Sequence, residues 1–138
     1  MSEIEPLLAR VLVVEDDPDN RTVIERLLRL AGVGPDSYAA IAGDAADYLA
    51  RSTLSFDLVF LDLQLPKKDG YAILGEIRSD PRLARTRVVA LTANVSRREV
   101  ERCRAAGFDG FIGKPIDGRR FSALLRSILK GEAVWTED

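Results

Sequence analysis

The sequence predicts a three-layer α/β domain whose core is a doubly wound, five-stranded parallel sheet. Short apolar runs alternate five times with segments whose apolar residues recur at helical spacing, which is the pattern of successive β–α units. The segments between the runs are long enough for right-handed crossovers between parallel strands. The 138 residues, 46% of them hydrophobic and 30% charged, suit one compact core.

The first two β–α units lie in the amino-terminal part of the chain. Val11–Glu15 is an apolar run that ends in acidic residues, and Pro18 and Asp19 begin the helix after it. Residues at helical spacing predict the buried face of that helix: Val23, Ile24, Leu27, Leu28 and Ala31. The second strand is predicted at Tyr38–Ile41. The helix after it has small apolar residues on one face: Ala42, Ala45, Ala46 and Leu49.

The third unit contains the central strand. The apolar run within Asp57–Leu61 has the composition of a strand that is buried on both faces, and Asp62 stands where the strand ends. Turn residues then lead into a helix predicted over Gly70–Ser79. Asp69 is the expected cap of that helix, so Asp62 is left for chemistry at the carboxyl end of the sheet.

Two further units complete the sheet. The fourth strand is predicted at Arg87–Leu91 and the fifth at Gly110–Gly113. The helix between them, Ser96–Ala106, has few apolar residues, which indicates weak anchoring, and we interpret Cys103 as one of its packing residues. The last helix is predicted over Asp117–Lys130.

Composition excludes several classes of protein. No run of eighteen apolar residues and no signal-peptide pattern is present, which favours a cytoplasmic protein without a membrane span. The chain has no histidine, so a histidine-based triad, a histidine-ligated zinc site and a histidine phosphocarrier are excluded. Residues 1–9 and 131–138 are predicted to be flexible tails, with Trp135 exposed, around a domain of residues 10–130.

Charge is spread unevenly along the chain. Residues 1–69 contain 7 Lys and Arg against 13 Asp and Glu, whereas residues 70–138 contain 13 against 9. Arginines concentrate on the fourth predicted helix, as in Arg97, Arg98, Arg102 and Arg104. No aromatic residues interleave with them to stack on bases, so an acidic protein partner is favoured over direct nucleic-acid binding.

Polar residues follow four of the five predicted strands: Glu15 with Asp16, Asp62, Thr92 and Lys114. The carboxyl ends of parallel strands lie along one edge of a sheet, so these side chains are expected to converge. Clustered carboxylates repel one another unless a cation bridges them, and oxygen ligands suit Mg²⁺. A lysine and a hydroxyl can neutralise phosphate oxygens. The pattern predicts phosphoryl transfer to a carboxylate, with Asp62 as the nucleophile.

Four segments in this order, VLVVEDDP, LDLQLPKKDG, VVALTAN and FIGKPID, resemble the successive motifs of the receiver domains of two-component response regulators. The resemblance implies a flavodoxin-like sheet of order 2-1-3-4-5 and a single-domain phosphoacceptor. Such a domain is no ordinary enzyme but a signalling module that assists its own phosphorylation and dephosphorylation. The phosphoryl group would come from a sensor histidine kinase or a histidine phosphotransfer protein. A downstream protein effector would read the signal, and a phosphorylation-linked homodimer is left open.

The resemblance also assigns roles to the residues at the strand ends. It implies that Asp62 is the phosphoacceptor and that Thr92 and Lys114 hold the phosphoryl oxygens. The magnesium ligands would be Asp16, Asp62, the backbone carbonyl of Gln64 and, directly or through water, Glu15. Many receivers have aspartate where this chain has Glu15, and we expect the longer side chain to alter the metal geometry without abolishing binding.

Three further features come from the resemblance. The Lys114–Pro115 bond would be cis. Thr92 and Phe111 would form the switch: Thr92 moves toward the phosphate, and Phe111, which replaces the family's tyrosine, turns inward. Gln64 and Asn94 would set the lifetime of the phosphoryl group by controlling access of water.

Two alternatives are kept. The first is a receiver-like scaffold that is never phosphorylated, which the complete set of reactive residues disfavours. The second is a phosphohydrolase of the haloacid dehalogenase type, which also uses a strand-end aspartate with lysine, threonine and magnesium. That family places an acid–base aspartate two residues after the nucleophile, where this chain has Gln64, which cannot transfer protons in that way.

Overall fold

The computed structural model describes residues 4–52 and 55–135. Within these residues, six parallel strands form one sheet in the order β2-β1-β3-β4-β5-β6. The strands are β1 Val11–Val14, β2 Tyr38–Ile41, β3 Leu58–Asp62, β4 Arg87–Thr92, β5 Gly110–Gly113 and β6 Val134–Trp135. The α-helices are α1 Pro18–Leu30, α2 Ala45–Arg51, α3 Gly70–Arg78, α4 Arg97–Ala106 and α5 Gly118–Leu129. No helix in the described part of the chain is long and apolar enough to cross a membrane.

The predicted fold class and the order 2-1-3-4-5 are confirmed, but the predicted number of five strands is wrong. A sixth strand, Val134–Trp135, pairs with β5. Val134 is buried in the core on one face of the sheet, and Trp135 is half-buried against the core on the other face. The prediction of an exposed Trp135 is therefore also wrong. A two-residue strand is too short to show a periodic pattern in the sequence, so it could not be predicted. Residues 1–3 and 136–138 of the predicted tails lie outside the described residues.

Apolar side chains form one core cluster on each face of the sheet. Ile24 and Leu28 of α1 and Ala31, which follows its last residue, are buried in one of them, as predicted. Val23 is 53% exposed, contrary to the prediction. It precedes Ile24 by one position in the helix, so it points to the side of the packed stripe and away from the sheet. Ala42 is also exposed, because α2 begins only at Ala45.

The predicted ranges of the last two helices begin at their N-terminal capping residues, Ser96 and Asp117. Asp69 caps α3 as expected, since its Oδ1 accepts the N–H of Ala72 at 2.9 Å. Ser96 caps α4 and Asp117 caps α5 in the same way. Cys103 on α4 is fully buried, as its interpretation as a packing residue requires, and burial raises the pKa of its thiol.

Gly70 and Gly75 lie on the same helix, α3, in opposite surroundings. A Cβ atom at Gly70 would lie 2.9 Å from the backbone oxygen of Asp62 and from the Cα of Leu63, whereas one at Gly75 would have nothing within 4 Å. We expect Gly70→Ala to lower the free energy of unfolding by about 1–3 kcal/mol, because the backbone beneath it must shift. Gly75→Ala should raise it by about 0.5–1 kcal/mol, because alanine favours a helix interior.

Urea unfolding followed by circular dichroism measures both changes in the free energy of unfolding. The two substitutions are chemically identical, so each serves as the control for the other. Equal effects would contradict the close packing of Gly70 against the end of β3.

Candidate functional site

Asp62 is the last residue of β3, the strand that lies between β1 and β4. The residue is 3% exposed, and its two carboxylate oxygens have different partners. Oδ1 accepts the backbone N–H of Gln64 at 2.9 Å, and Oδ2 lies 3.1 Å from Nζ of Lys114. A buried strand therefore fixes the position of this carboxylate, and a lysine compensates its charge.

Two more carboxylates come from the end of β1. Glu15 is 1% exposed, whereas Asp16 is exposed. Glu15, Asp16 and Asp62 each offer an oxygen atom, and these atoms lie within 4.8 Å of one another. Burial and then the neighbouring Asp62 raise the pKa of Glu15 to about 7, although Lys114 opposes this. Glu15 therefore loses its proton only near neutral pH.

Lys114 follows β5 and bridges Glu15 and Asp62. Its Nζ lies 2.5 Å from Oε1 of Glu15 and 3.1 Å from Oδ2 of Asp62. Burial alone would lower the pKa of this ammonium group, but the hydrogen bond to Glu15 and the charge of Asp62 raise it overall, so the group stays charged at neutral pH. The Lys114–Pro115 bond is cis, as the resemblance implies.

Thr92 ends β4 and lies beside Lys114, whose backbone N–H donates to the Thr92 carbonyl at 2.8 Å. The Thr92 side chain is buried, and its hydroxyl oxygen accepts the N–H of Asn94 at 3.1 Å. Because the hydroxyl acts as the acceptor in this bond, its own proton is left to donate elsewhere. Within the described residues, no hydrogen bond joins Thr92 to Asp62.

The other predicted site residues lie around this group. Gln64 and Asn94 are exposed in the loops that follow β3 and β4, and Asn94 Oδ1 accepts the N–H of Ser96 at 3.2 Å. Phe111 on β5 is fully buried in a core cluster, so its ring is already turned inward. The roles of these three residues stay predictions.

One residue of the site was not predicted from the sequence. Arg21 on α1 reaches back to the end of β1 and donates from Nη1 to the carbonyl oxygens of Glu15 and Asp16. It stands in the sequence as one of several arginines on a predicted helix, and no motif marks it. Only the folded structure shows that Arg21 contacts the turn between β1 and α1, which contains Glu15 and Asp16.

The donor set suits a hard divalent cation. Three carboxylates and one ammonium leave two negative charges when all are ionised, and Asp62 adds to the effect of burial in raising the pKa of Glu15. Oxygen ligands on a site that is partly open to solvent suit Mg²⁺, which keeps several of its waters. The residues present therefore fit a magnesium ion.

Comparison with known proteins identifies the family. The sequence profile of the response regulator receiver domain matches residues 11–126. The chain is 34% identical over 123 residues to hybrid signal transduction histidine kinase L of Dictyostelium discoideum, covering 87% of this chain and 7% of that protein. It is 32% identical over 123 residues to the DNA-binding dual master transcriptional regulator RpaA of Synechocystis, covering 89% of this chain and 50% of that protein. The chain thus spans half or less of these curated relatives.

A solved structure agrees in both fold and sequence. The receiver domain of sensor histidine kinase PA1611 from Pseudomonas aeruginosa has a TM-score of 0.71 and 34% identity, covering 88% of this chain and 93% of that one. That structure holds a magnesium ion in its active-site cleft. The sheet order, the acidic cluster and the profile match over residues 11–126 agree, and the chain belongs to the response regulator receiver domain family.

Proposed function

We propose that this protein is a phosphoacceptor of a two-component phosphorelay and that Asp62 receives the phosphoryl group. One observation carries the proposal: the buried Asp62 carboxylate ends the central strand between a lysine and two further carboxylates. The donor would be a sensor histidine kinase or a histidine phosphotransfer protein. The kinase and regulator relatives support that choice of partner.

The reaction would be a displacement at phosphorus. An oxygen atom of Asp62 attacks the phosphorus of a phosphohistidine, the new P–O bond forms as the P–N bond breaks, and the electron pair stays on the imidazole nitrogen. Charge spreads over the phosphoryl oxygens during this step, so the protein mainly positions and neutralises. Lys114 would neutralise one of these oxygens, and the free hydroxyl proton of Thr92 would be donated to another.

Asp16, Asp62, the backbone carbonyl of Gln64 and, directly or through water, Glu15 would hold a magnesium ion. Bound there, the ion would neutralise charge on the carboxylates and on the incoming phosphoryl group. Gln64 and Asn94 are exposed beside Asp62 and Thr92, a position that supports their proposed control of water access.

The signal would leave the domain through changed protein contacts. Thr92 and Phe111 lie on the neighbouring strands β4 and β5. We propose that Phe111 occupies this buried position in the signalling state of the domain. A downstream protein effector would bind the altered face, and a phosphorylation-linked homodimer is a second form of the same output.

Intact mass spectrometry tests the proposal. The protein is incubated with acetyl phosphate, with and without Mg²⁺, and one phosphate adduct that requires the metal is expected. Lability of the adduct to hydroxylamine identifies an acyl phosphate. If the folded protein gains no adduct when Mg²⁺ is present, the proposal fails and the phosphorylation-independent scaffold is favoured.

The raised pKa of Glu15 gives a pH dependence for magnesium binding. At a pH below its pKa of about 7, Glu15 holds a proton that must leave before the carboxylate can bind the metal. Affinity for Mg²⁺ should therefore rise with pH, by about tenfold from pH 6 to pH 8, and then level off. Isothermal titration calorimetry in two buffers of different ionisation enthalpy measures both the affinity and the released proton.

The control variant is Glu15→Gln, in which the titrating group is absent. Its magnesium affinity should be lower and should vary little between pH 6 and pH 8. Equal affinities of the wild type at these two pH values would contradict the assignment of Glu15.

A further inference from the structure

The three carboxylates of the candidate metal site are held in different ways. Glu15 and Asp62 both contact Lys114, and Asp62 also accepts the N–H of Gln64. Asp16 is exposed, and no hydrogen bond or ion pair to its carboxylate occurs within residues 4–52 and 55–135. The position of the Asp16 carboxylate therefore depends on its rotamer and on the backbone, which sets the direction of the Cα–Cβ bond.

One side chain holds that backbone on both sides. Nη1 of Arg21, a half-buried residue, donates to the carbonyl oxygen of Glu15 at 2.7 Å and to that of Asp16 at 3.0 Å. These carbonyls belong to the two peptide planes that flank the Cα of Asp16, so bonding both planes restricts both of its backbone dihedral angles. The bonds are charge-assisted, and they are correspondingly stronger than bonds between neutral groups.

The ends of the same turn are held by other groups. The N–H of Glu15 donates to the carbonyl of Ile41 at 2.9 Å, which continues the pairing of β1 with β2. At the other end, Oδ1 of Asp17 caps α1 by accepting the N–H of Asp19 at 2.8 Å. Arg21 bonds the carbonyls between these two anchors, on either side of Asp16.

We infer that Arg21 is a positioning residue of the metal site, which holds the Asp16 backbone so that its carboxylate meets those of Glu15 and Asp62. The inference rests on the proposed function, because it concerns magnesium binding by the same carboxylates. Arg21 acts through two backbone carbonyls and needs no contact with the ion or with phosphate.

Positioning and charge have opposite effects on magnesium affinity, which makes the inference testable. A guanidinium near the site repels a cation, so removing its charge alone would strengthen binding of Mg²⁺. Removing the two backbone bonds frees Asp16 and weakens binding. We expect Arg21→Met to lower the magnesium affinity about 10–100-fold, which is the usual effect of losing a group that orients a metal ligand.

Isothermal titration calorimetry with MgCl₂ at pH 8 measures the affinity of each variant. Hydrogen–deuterium exchange of the metal-free protein gives a second readout, and faster exchange is expected in the turn between β1 and α1. Arg26→Met is the matched control, because it removes the same charge from an exposed position on the same helix. Its magnesium affinity should stay within about twofold of the wild type.

Each outcome decides one claim. Magnesium affinity of Arg21→Met that equals or exceeds that of the wild type overturns the positioning role and leaves the proposed function intact. A wild-type protein that is folded but does not bind Mg²⁺ overturns the proposed function instead. Should Arg21→Met fail to fold, Arg21→Lys keeps the charge but lacks the planar guanidinium: weaker binding supports the inference, and wild-type affinity overturns it.

Discussion

Asp62→Asn is expected to abolish the phosphate adduct that the wild-type protein gains from acetyl phosphate and Mg²⁺. The amide of asparagine is a poor nucleophile, and an acyl phosphate requires a carboxylate oxygen. The substitution preserves the size of the side chain, so the buried end of β3 should stay packed. Intact mass spectrometry measures the fraction of protein that carries one phosphate, and that fraction should fall below detection.

The matched control is Asp57→Asn, just before the amino end of the same strand. Asp57 accepts the backbone N–H of Arg10 at 2.8 Å, so it has a structural contact and lies at the opposite end of β3 from the acidic cluster. Its variant should be phosphorylated like the wild type. An adduct that persists in Asp62→Asn would assign the phosphoacceptor to another residue, and peptide mapping would locate it.

Lys114→Ala is expected to slow phosphorylation by acetyl phosphate about 100-fold. Its Nζ lies within hydrogen-bonding distance of both Glu15 and Asp62, and it is the cation best placed to neutralise the phosphoryl oxygens. Loss of one such group commonly costs a factor of about 10²–10³ in rate. The rate of adduct formation at saturating Mg²⁺ measures the effect.

Lys68→Ala controls for the loss of a lysine near the same edge of the sheet. Lys68 forms an ion pair with Glu76 at 2.9 Å, and its side chain is 51% exposed, so its removal should leave the rate within about twofold of the wild type. A Lys114→Ala protein that is phosphorylated at the wild-type rate would remove Lys114 from the reaction.

Loss of Lys114 should also change how stability depends on pH. The pKa of Glu15 already lies above its value in an unfolded chain, and without Lys114 it rises further. The folded protein then binds more protons than the unfolded chain, so the free energy of unfolding must fall as pH rises through this range. The variant should therefore be most destabilised at pH 8 and should regain stability toward pH 6.

Much of the site could be predicted because each reactive side chain follows an apolar run. Asp62 and Thr92 are the last residues of their strands and Lys114 directly follows β5, and parallel strands bring such positions to one edge of the sheet. Arg21 could not be predicted as a site residue, because the two carbonyl oxygens to which it donates lie near it only in the folded protein. Nor could the requirement for glycine at position 70, which depends on the closeness of another backbone segment.

The fold shows the same division between local pattern and tertiary contact. The predicted limits of the strand at Tyr38–Ile41 are correct, although the small residues of this strand give only a weak pattern. Val23 was misplaced, since spacing alone does not tell which edge of a helix stripe meets the sheet. β6 had too few residues to show any period at all.

The sixth strand gives this protein a built-in optical reporter. Trp135 is its one tryptophan, and the guanidinium carbon of Arg104 on α4 lies 4.8 Å from the ring centroid. Indole emission therefore reports whether the sheet edge at β5 is covered, whereas circular dichroism reports the helices. If the fluorescence and circular dichroism midpoints of a thermal melt coincide, β6 separates from β5 only when the whole domain unfolds. A lower fluorescence midpoint would show that β6 separates first and would give the free energy of this local unfolding.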